Sequence, residues 1–591
     1  MAGIIQDCLY WVLFVGVVCP LKVPEKSPIR QTEYGQVQGI MTEPLPKRKV
    51  ANYLGIPYAK PPIKRLRFER TQRPDPWGEV KFAGELPPAC PQTPDMSYVN
   101  LHSPGFNRED EDCLYINVYV PERVSQNIPV FLYVHGGSNR VGMGAMLRGD
   151  ILAAFGDIIV VNFNYRLGSL GFYAARKEGL TGNYGFFDQV MALHWVKDNI
   201  AKFGGDPEMV TIAGHSAGAA DVGFHVISPL SKGLFRRAMI MSGSPIAFWG
   251  LAAPHWKPGY NIAEYCNRDL CPRNRDPKEF REYLMQLSWQ KFTNHNTSPI
   301  PTDYQQVLTF PVSIVDGEFI TERPETAIQA KKMNCESFVF SITRDEGSVD
   351  VRYVHDNMKS KTGKFDQETF RQVLDWYKPI YPKVSNLDDL IMHEYGGWEN
   401  FTNRNEEVNI LQRYTQMESD IVFVAPMVKL ADLLTSAGVN DITFFSFDYR
   451  SAKNKLSDWE GIPHGADLFY VFGLPHVGHP EFTFDDRDKE ASTMTMIMWT
   501  NYVKTGVFFV GSKPFQKYSP SRSYNRLHLS NDSLVISAED TYKPRRMEFW
   551  NSLLPSLGTS ARSSSSGQHP AVILVLTSIS YFIFHTWSVC L

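Results

Sequence analysis

The fold of this chain is decided by the stretch Met209-Val210-Thr211-Ile212-Ala213-Gly214-His215-Ser216-Ala217-Gly218. Its first half is an apolar run that predicts a buried strand, and the residues from Ala217 to Val226 predict a helix. Two glycines flank Ser216, where the chain reverses so sharply that Cβ atoms would collide with neighbouring backbone. The stretch predicts a strand-to-helix turn that exposes the serine hydroxyl at the carboxyl edge of a sheet, although the same pentapeptide also occurs in ordinary turns.

The rest of the chain alternates predicted strands with predicted helices. The strands are apolar and rich in β-branched and aromatic residues, over 129–134, 158–164, 210–213, 237–241, 338–342 and 442–447. A helical pattern over 185–203 lies among them. This alternation predicts an α/β protein with a large, mostly parallel sheet covered by helices on both faces. In such sheets, chemistry collects at the carboxyl ends of the strands.

Glycines directly follow the predicted strand over 129–134, in His135-Gly136-Gly137-Ser138. A glycine backbone of this kind brings N–H groups against the negative oxygen that forms during acyl transfer. Together with the amide of Ala217, just after the serine, it predicts an oxyanion hole formed by Gly136, Gly137 and Ala217.

A candidate acid and a candidate base also follow predicted strands. Glu346 comes after the strand over 338–342, and His464 lies in the loop after the strand over 442–447. The chain order of serine, acid and histidine is the order found in this hydrolase architecture. Asp345 competes with Glu346 for the acid role, and each residue taken singly is also compatible with a solvated turn. Ser216, Glu346 and His464 are therefore the candidate catalytic residues as a set.

Composition and charge limit the function classes. The chain has 591 residues, of which 43% are apolar, enough to bury a large core. Its 60 basic and 63 acidic residues leave a formal net charge of −3 and no basic face for nucleic acid. Nucleic-acid binding is therefore not an expected function.

Both ends of the chain carry processing or membrane signals. An apolar run over 9–19 is too short to span a bilayer, so residues 1–20 predict a secretory signal peptide. Residues 571–591 are apolar and would form a helix of about 31 Å. Because small residues from Gly558 and a Ser-rich linker over 556–570 precede them, the pattern favours a lipid anchor attached at Gly558 over a retained membrane helix. Either reading places the domain over 26–555 on the extracellular face of the plasma membrane.

Longer motifs recur in a fixed order along the chain. They are Tyr53-Leu54-Gly55-Ile56-Pro57-Tyr58-Ala59, Glu111-Asp112-Cys113-Leu114-Tyr115, Asn164-Tyr165-Arg166-Leu167-Gly168, Gly182-Asn183-Tyr184-Gly185, Phe203-Gly204-Gly205-Asp206-Pro207 and Val471-Phe472-Gly473. With them the chain resembles the type B carboxylesterases, the superfamily of cholinesterases and neuroligins. The resemblance implies an α/β-hydrolase fold with Ser216 as nucleophile, Glu346 as acid and His464 as base, and it implies the same oxyanion donors.

The resemblance also implies disulfides and a dimer. It pairs Cys90 with Cys113, and Cys266 with Cys271 in a shortened bridge. It places a homodimer interface on the stretch over 491–503 and on the helix that ends near Leu554. Sequons at Asn296, Asn400 and Asn531 fit a glycosylated surface.

The chain departs from the family pattern beside the nucleophile. His215 stands where active members usually carry glutamate, and Ser138 replaces the third oxyanion glycine, as in the neuroligin branch. Neuroligins, however, lack the serine nucleophile, which this chain keeps. No tryptophan occurs over 98–111 to bind a choline cation, and Val349 and Asp350 replace acyl-pocket aromatics, although Trp249 remains in a matching place. Acetylcholine is therefore not the expected substrate.

Two function classes follow. The first is a membrane-attached extracellular serine carboxylesterase that acts on a small ester through an acyl-enzyme and needs no metal or organic cofactor. If an alcohol or an amine replaced water, the same residues would perform acyl transfer. The second is an adhesion or receptor ectodomain like neuroligin or gliotactin, with a cell-surface protein partner and little or no catalysis.

Overall fold

The computed structural model describes residues 24–92, 96–123, 126–175, 179–252, 277–293, 313–396, 406–519 and 521–560. The predicted signal peptide, the predicted tail over 571–591, the cysteines at 266 and 271 and the sequons at 296 and 400 lie outside these residues. Within the described part of the chain, no helix has the length and apolar character needed to cross a bilayer.

A large twisted sheet organises the molecule. Its eleven strands are β1 Ile40–Leu45, β2 Arg48–Pro57, β3 Tyr115–Pro121, β4 Ile128–Val134, β5 Ile159–Phe163, β6 Gly205–His215, β7 Arg237–Met241, β8 Ser337–Thr343, β9 Asp441–Phe447, β10 Tyr524–Ser530 and β11 Ser533–Glu539. Their spatial order is β11-β10-β9-β8-β7-β6-β4-β5-β3-β2-β1. The seven strands from β10 to β5 run parallel, and antiparallel strands close both edges.

The helices connect the strands and cover the sheet. They are α1 Ser97–His102, α2 Gly149–Gly156, α3 Gly168–Phe172, α4 Tyr184–Asn199, α5 Ala217–Ile227, α6 Pro277–Gln286, α7 Gln290–Thr293, α8 Pro324–Gln329, α9 Ser348–Thr362, α10 Gln367–Leu374, α11 Leu387–Tyr395, α12 Glu406–Glu418, α13 Ala425–Ser436, α14 Ala466–Val471, α15 Leu474–Val477, α16 Asp486–Thr505, α17 Pro544–Glu548 and α18 Leu554–Ser560. Short π-helical segments at Ser419–Val424 and Phe549–Leu553 continue α12 into α13 and α17 into α18.

Strand β4 shows why both sheet faces are covered. Its side chains alternate, so Val130 and Leu132 enter one core and Phe131 and Tyr133 enter the other. Helices α4 and α5 pack into the first core, and α2, α14 and α16 pack into the second. Because each face is dry, the central strands consist of near-continuous apolar runs. The predicted mostly parallel sheet with helices on both faces is confirmed.

A buried ion pair and a disulfide stabilise the connections between the strands and helices. Arg166 and Asp188 are almost fully buried, and the Asp188 carboxylate accepts from the Arg166 Nε at 2.8 Å and from the Arg166 backbone N–H at 2.9 Å. The disulfide that the resemblance implied between Cys90 and Cys113 is present. Cys335 is buried and unpaired within the described residues.

Substituting Asp188 by alanine should destabilise the fold strongly, because Arg166 would remain as a buried cation without its partner. We expect a loss of about 3–5 kcal/mol in the free energy of unfolding, measured by chemical denaturation of the purified protein. Glu33→Ala breaks the exposed contact of Glu33 with Arg73 and should unfold close to wild type. Equal midpoints for the two variants would contradict the prediction.

Candidate active site

The turn at Ser216 joins β6 to α5. Ser216 has φ 59° and ψ −125°, a left-handed conformation that side chains rarely adopt, and it is half-buried. A Cβ at Gly214 would clash with the Gly218 carbonyl, and a Cβ at Gly218 would clash with the Val134 carbonyl. The Ser216 N–H donates to the Met241 carbonyl at 2.9 Å. Steric constraint therefore holds the serine side chain at the carboxyl ends of β6 and β7.

Glu346 and His464 come together although 118 residues separate them. His464 Nδ1 lies 2.6 Å from Glu346 Oε2. The other carboxylate oxygen of Glu346 accepts from the Thr343 N–H and from the Ser242 hydroxyl, each at 2.6 Å. Glu346 is fully buried, whereas the His464 side chain is 18% exposed. The hydrogen bonds from Thr343 and Ser242 thus fix the carboxylate of Glu346, and this carboxylate orients the partly exposed imidazole of His464.

Asp345, the competing acid, lies elsewhere. Its carboxylate accepts from Arg344 Nε and from the Ile462 N–H, both at 2.8 Å. It therefore holds the loop two residues before His464, and no hydrogen bond joins it to the imidazole among the described residues.

The charge of Glu346 tunes His464. Burial lowers the pKa of His464, but the negative charge and the hydrogen bond of Glu346, together with the charges of Asp350 and Asp467, outweigh this effect. The net result is a pKa of His464 raised above its usual value. The site therefore favours the imidazolium that a general base becomes when it accepts a proton.

The predicted oxyanion donors lie beside the serine. A Cβ at Gly136 would lie 3.0 Å from the Ser216 Cβ, and Gly137 has φ 106°, so both positions favour glycine. Among the described residues, the N–H groups of Gly136 and Gly137 donate no hydrogen bond. Ala217 is the first residue of α5, where helical N–H groups lack an intrahelical acceptor. These amides are available to an oxyanion.

An aromatic and acidic wall flanks His464. Phe423, presented by the π-helical segment, stacks on the imidazole with ring centroids 4.3 Å apart. Trp249 packs against Phe423 and donates to the Val422 carbonyl at 2.9 Å. Burial raises the pKa of half-buried Asp350 to about 6. The imidazole of His464 is therefore bordered by an aromatic ring and a carboxyl group.

His215 is buried at 2% exposure, and its ring lies 4.4 Å from that of His464. Neither ring nitrogen has a hydrogen-bond partner among the described residues. Burial first, and then the charges of His464 and His102, lower the pKa of His215 well below its usual value. The ring is therefore neutral, and no carboxylate stands directly before the nucleophile.

Asp467, which follows His464 by three residues, is also a buried polar group without a hydrogen-bond partner among the described residues. Both carboxylate oxygens lack a hydrogen bond within the described residues. The backbone N–H groups of Asp467 and Leu468 lie near enough to lower its pKa, but neither makes a well-oriented hydrogen bond with it. Burial and the charge of Glu346 prevail and raise the pKa of Asp467 to about 7.

The structure thus brings the predicted residues together at one sheet edge, except that no hydrogen bond joins the Ser216 hydroxyl to His464 among the described contacts. Catalytic hydrogen bonds are often long without substrate and shorten when a substrate binds. Of the other predicted positions, Asn531 is exposed in the turn between β10 and β11, and Gly558 lies in α18.

Ser242 and Phe423 also contact the site residues but were not predicted from the sequence. Ser242 directly follows β7, so the rule that chemistry follows strand ends could have found it. Phe423 had no such signal, because it lies on a helix far from any strand end in the sequence.

The chain is similar in sequence to known proteins. The model of the Carboxylesterase family matches residues 26–550. Neuroligin-2 of Mus musculus is 31% identical, over 90% of this chain and 68% of that protein. Neuroligin-3 of Mus musculus is 30% identical over 92% and 71%, and acetylcholinesterase of Bungarus fasciatus is 29% identical over 89% and 86%.

Replacing Glu346 by glutamine should lower the pKa of His464, because it removes the largest favourable charge and leaves the effect of burial. We expect the pKa of His464 to fall below its wild-type value. NMR titration of ¹³C-labelled histidine measures it, with the signal assigned from His464→Gln. Asp345→Asn is the control, since Asp345 faces Arg344, and an equal fall in that variant would refute the assignment of the acid.

Proposed function

Because this chain belongs to the carboxylesterase family, we propose that it is a serine carboxylesterase with the α/β-hydrolase fold, which hydrolyses carboxylic esters through an acyl-enzyme. The observation that carries the proposal is the 2.6 Å contact between Glu346 and His464 at the sheet edge that presents Ser216. A fixed carboxylate, an oriented imidazole and a strained serine are the parts that acyl transfer requires.

In the first step, the Ser216 Oγ attacks the ester carbonyl carbon while His464 Nε2 accepts the hydroxyl proton. The carbonyl electron pair moves to oxygen, where the N–H groups of Gly136, Gly137 and Ala217 stabilise the negative charge. When the tetrahedral intermediate collapses, the C–O bond of the leaving group breaks and His464 returns the proton to the departing alcohol. Glu346 stabilises the imidazolium throughout.

In the second step, water replaces the alcohol. His464 accepts a proton from water as its oxygen attacks the acyl carbon, and the same amides hold the second oxyanion. Collapse releases the carboxylic acid and returns the proton to Ser216. These residues complete the cycle without a metal or organic cofactor.

We further propose that the enzyme is secreted and held on the extracellular face of the plasma membrane. The apolar stretches at both ends of the sequence support this placement, with Gly558 as the attachment site of a lipid anchor. A homodimer through the stretch over 491–503 of α16 and the helical segment leading to Leu554 is part of the proposal and can be checked by analytical ultracentrifugation.

A second candidate function is adhesion to a protein on another cell. Two observations favour it: the neuroligins among the similar proteins, and the neutral His215 in place of a charged residue before the serine. In that case the outer surface would bind the partner, and the site around Ser216 would have little or no activity.

A fluorophosphonate probe should label the wild-type ectodomain at Ser216, because the activated hydroxyl displaces fluoride from phosphorus. Ser216→Ala should abolish labelling, and His464→Gln should slow it by about 10³-fold or more. Mass spectrometry of the labelled peptide over 209–218 checks the site. A folded wild type that stays unlabelled would sink the esterase proposal.

The same Ser216→Ala variant separates esterase from adhesion. If adhesion were the function, wild type and variant would bind the partner cells equally, and neither would hydrolyse p-nitrophenyl esters. If the protein is an esterase, the wild type will hydrolyse these esters and the Ser216→Ala variant will not.

Phosphatidylinositol-specific phospholipase C should release the protein from intact cells, because the proposed anchor holds it by a cleavable lipid. Immunoblotting of the medium measures release. A chimera with a known transmembrane helix in place of residues 556–591 should stay on the cells. Retention of the natural chain would show that residues 571–591 span the membrane instead.

A further inference from the structure

Asp221 is a buried carboxylate close to the nucleophile that the proposed mechanism does not use. It lies on α5, and its exposed fraction is 0%. One oxygen accepts from Asn139 Nδ2 at 3.0 Å, and the other accepts from Gln189 Nε2 at 2.7 Å. Both donors are neutral amides, and no cation pairs with Asp221 among the described residues. Burial accordingly raises the pKa of Asp221 to about 7.

A buried carboxylate without a cation is expensive for the fold. Such a charge costs several kcal/mol in effective desolvation, which amide hydrogen bonds offset only in part. An apolar residue at this position of α5 would avoid that cost. The contact with Asn139 indicates what the carboxylate does instead.

Asn139 belongs to the loop that carries the oxyanion donors. Three successive residues there, Gly137, Ser138 and Asn139, have φ values of 106°, 57° and 54°. Left-handed backbone costs about 1 kcal/mol or more at each residue other than glycine and persists only where surrounding contacts impose it. Because the Gly136 and Gly137 N–H groups donate no hydrogen bond within the described residues, they do not hold the loop themselves.

The Gly137 carbonyl accepts from the Arg140 and Val141 N–H groups within the loop, and the Asn139 side chain adds contacts to other parts of the chain. Its Nδ2 donates to Asp221, and its Oδ1 accepts from the Tyr165 hydroxyl at 2.9 Å. The same hydroxyl lies 2.8 Å from the His135 carbonyl. The Asn139 carbonyl accepts from the Gly168 N–H at 2.7 Å. Asp221 is the contact that ties this loop to the helix of the nucleophile.

We propose that Asp221 is a positioning residue that keeps the oxyanion donors Gly136 and Gly137 in register with Ser216. Helix α5 begins with Ala217, the third donor, and Asp221 follows one turn later. One rigid helix thus carries one donor directly and holds the other two through Asn139. The inference rests on the proposed esterase function.

The test compares Asp221→Asn and Asp221→Ala with wild type. In Asp221→Asn, an NH₂ group faces the amide donors of Asn139 and Gln189, so at least one contact is lost at nearly constant volume. We expect kcat for p-nitrophenyl acetate to fall about 10- to 100-fold, with KM within about twofold, since the oxyanion is bound mainly in the transition state. Inhibition by a trifluoromethyl ketone, whose adduct carries an oxyanion, should weaken by the same factor as kcat/KM.

Ser231→Ala is the matched control. Its hydroxyl lies 2.7 Å from His225 Nδ1, and His225 Nε2 lies 2.9 Å from Gln189 Oε1. The control therefore loses a buried side-chain hydrogen bond at the far end of the same series of contacts, and it should keep wild-type kcat. Equal losses in the control, or unchanged kcat and inhibition in both Asp221 variants, would overturn the proposal.

Hydrogen exchange tests the role of Asp221 without requiring catalytic activity. Within the loop over 136–141, the Arg140 and Val141 N–H groups donate to the Gly137 carbonyl at 2.9 and 3.0 Å. These two amides should exchange at least about tenfold faster in the Asp221 variants, while those over 209–214 stay as in wild type, because contact loss opens the loop locally. Unchanged exchange over 136–141 would overturn the inference. If wild type neither hydrolyses esters nor reacts with the probe, the esterase function fails, and the exchange result still decides whether Asp221 holds the loop.

Discussion

The close approach of backbone around Ser216 is the constraint on which the rest of the site depends. Gly214 and Gly218 meet each other and the end of β4 at distances that leave no room for a Cβ, and Ser216 is forced into a left-handed conformation. That crowding places the end of β6, the start of α5 and the oxyanion loop in a single cluster. A serine on a relaxed turn would be free to face away from the oxyanion donors.

Burial and nearby carboxylates together determine the pKa of His464. Glu346, Asp350 and Asp467 all act to raise the pKa of the imidazole, whereas His215, packed against its ring, is kept neutral. A nearby carboxylate stabilises an imidazolium, and a second cation would oppose it. The arrangement therefore suits a base that becomes charged only during the reaction.

Features that depend on the local sequence pattern could be predicted from the sequence. The strands predicted over 237–241 and 338–342 appear in the structure as β7 and β8 with the same or nearly the same bounds, whereas the strand predicted over 210–213 is part of the longer β6, Gly205–His215. The helix predicted over 185–203 appears as α4 followed by a 3₁₀ turn at Ile200–Phe203. Ser216, Glu346 and His464 could be proposed because each follows such a strand. Phe423, and the contact between Asn139 and Asp221, could not be predicted, because they depend on packing between distant segments.

The sequence by itself determined the class of fold and the candidate triad, because strand period, glycine sterics and residue order are written locally along the chain. Only the tertiary structure showed that Glu346, and not Asp345, makes the hydrogen bond to His464, since that partner lies more than a hundred positions away in the sequence. It also decided that His215 is buried beside the imidazole with no partner of its own among the described residues. Burial and long-range contact are properties of the packed chain, and no short stretch of residues contains them.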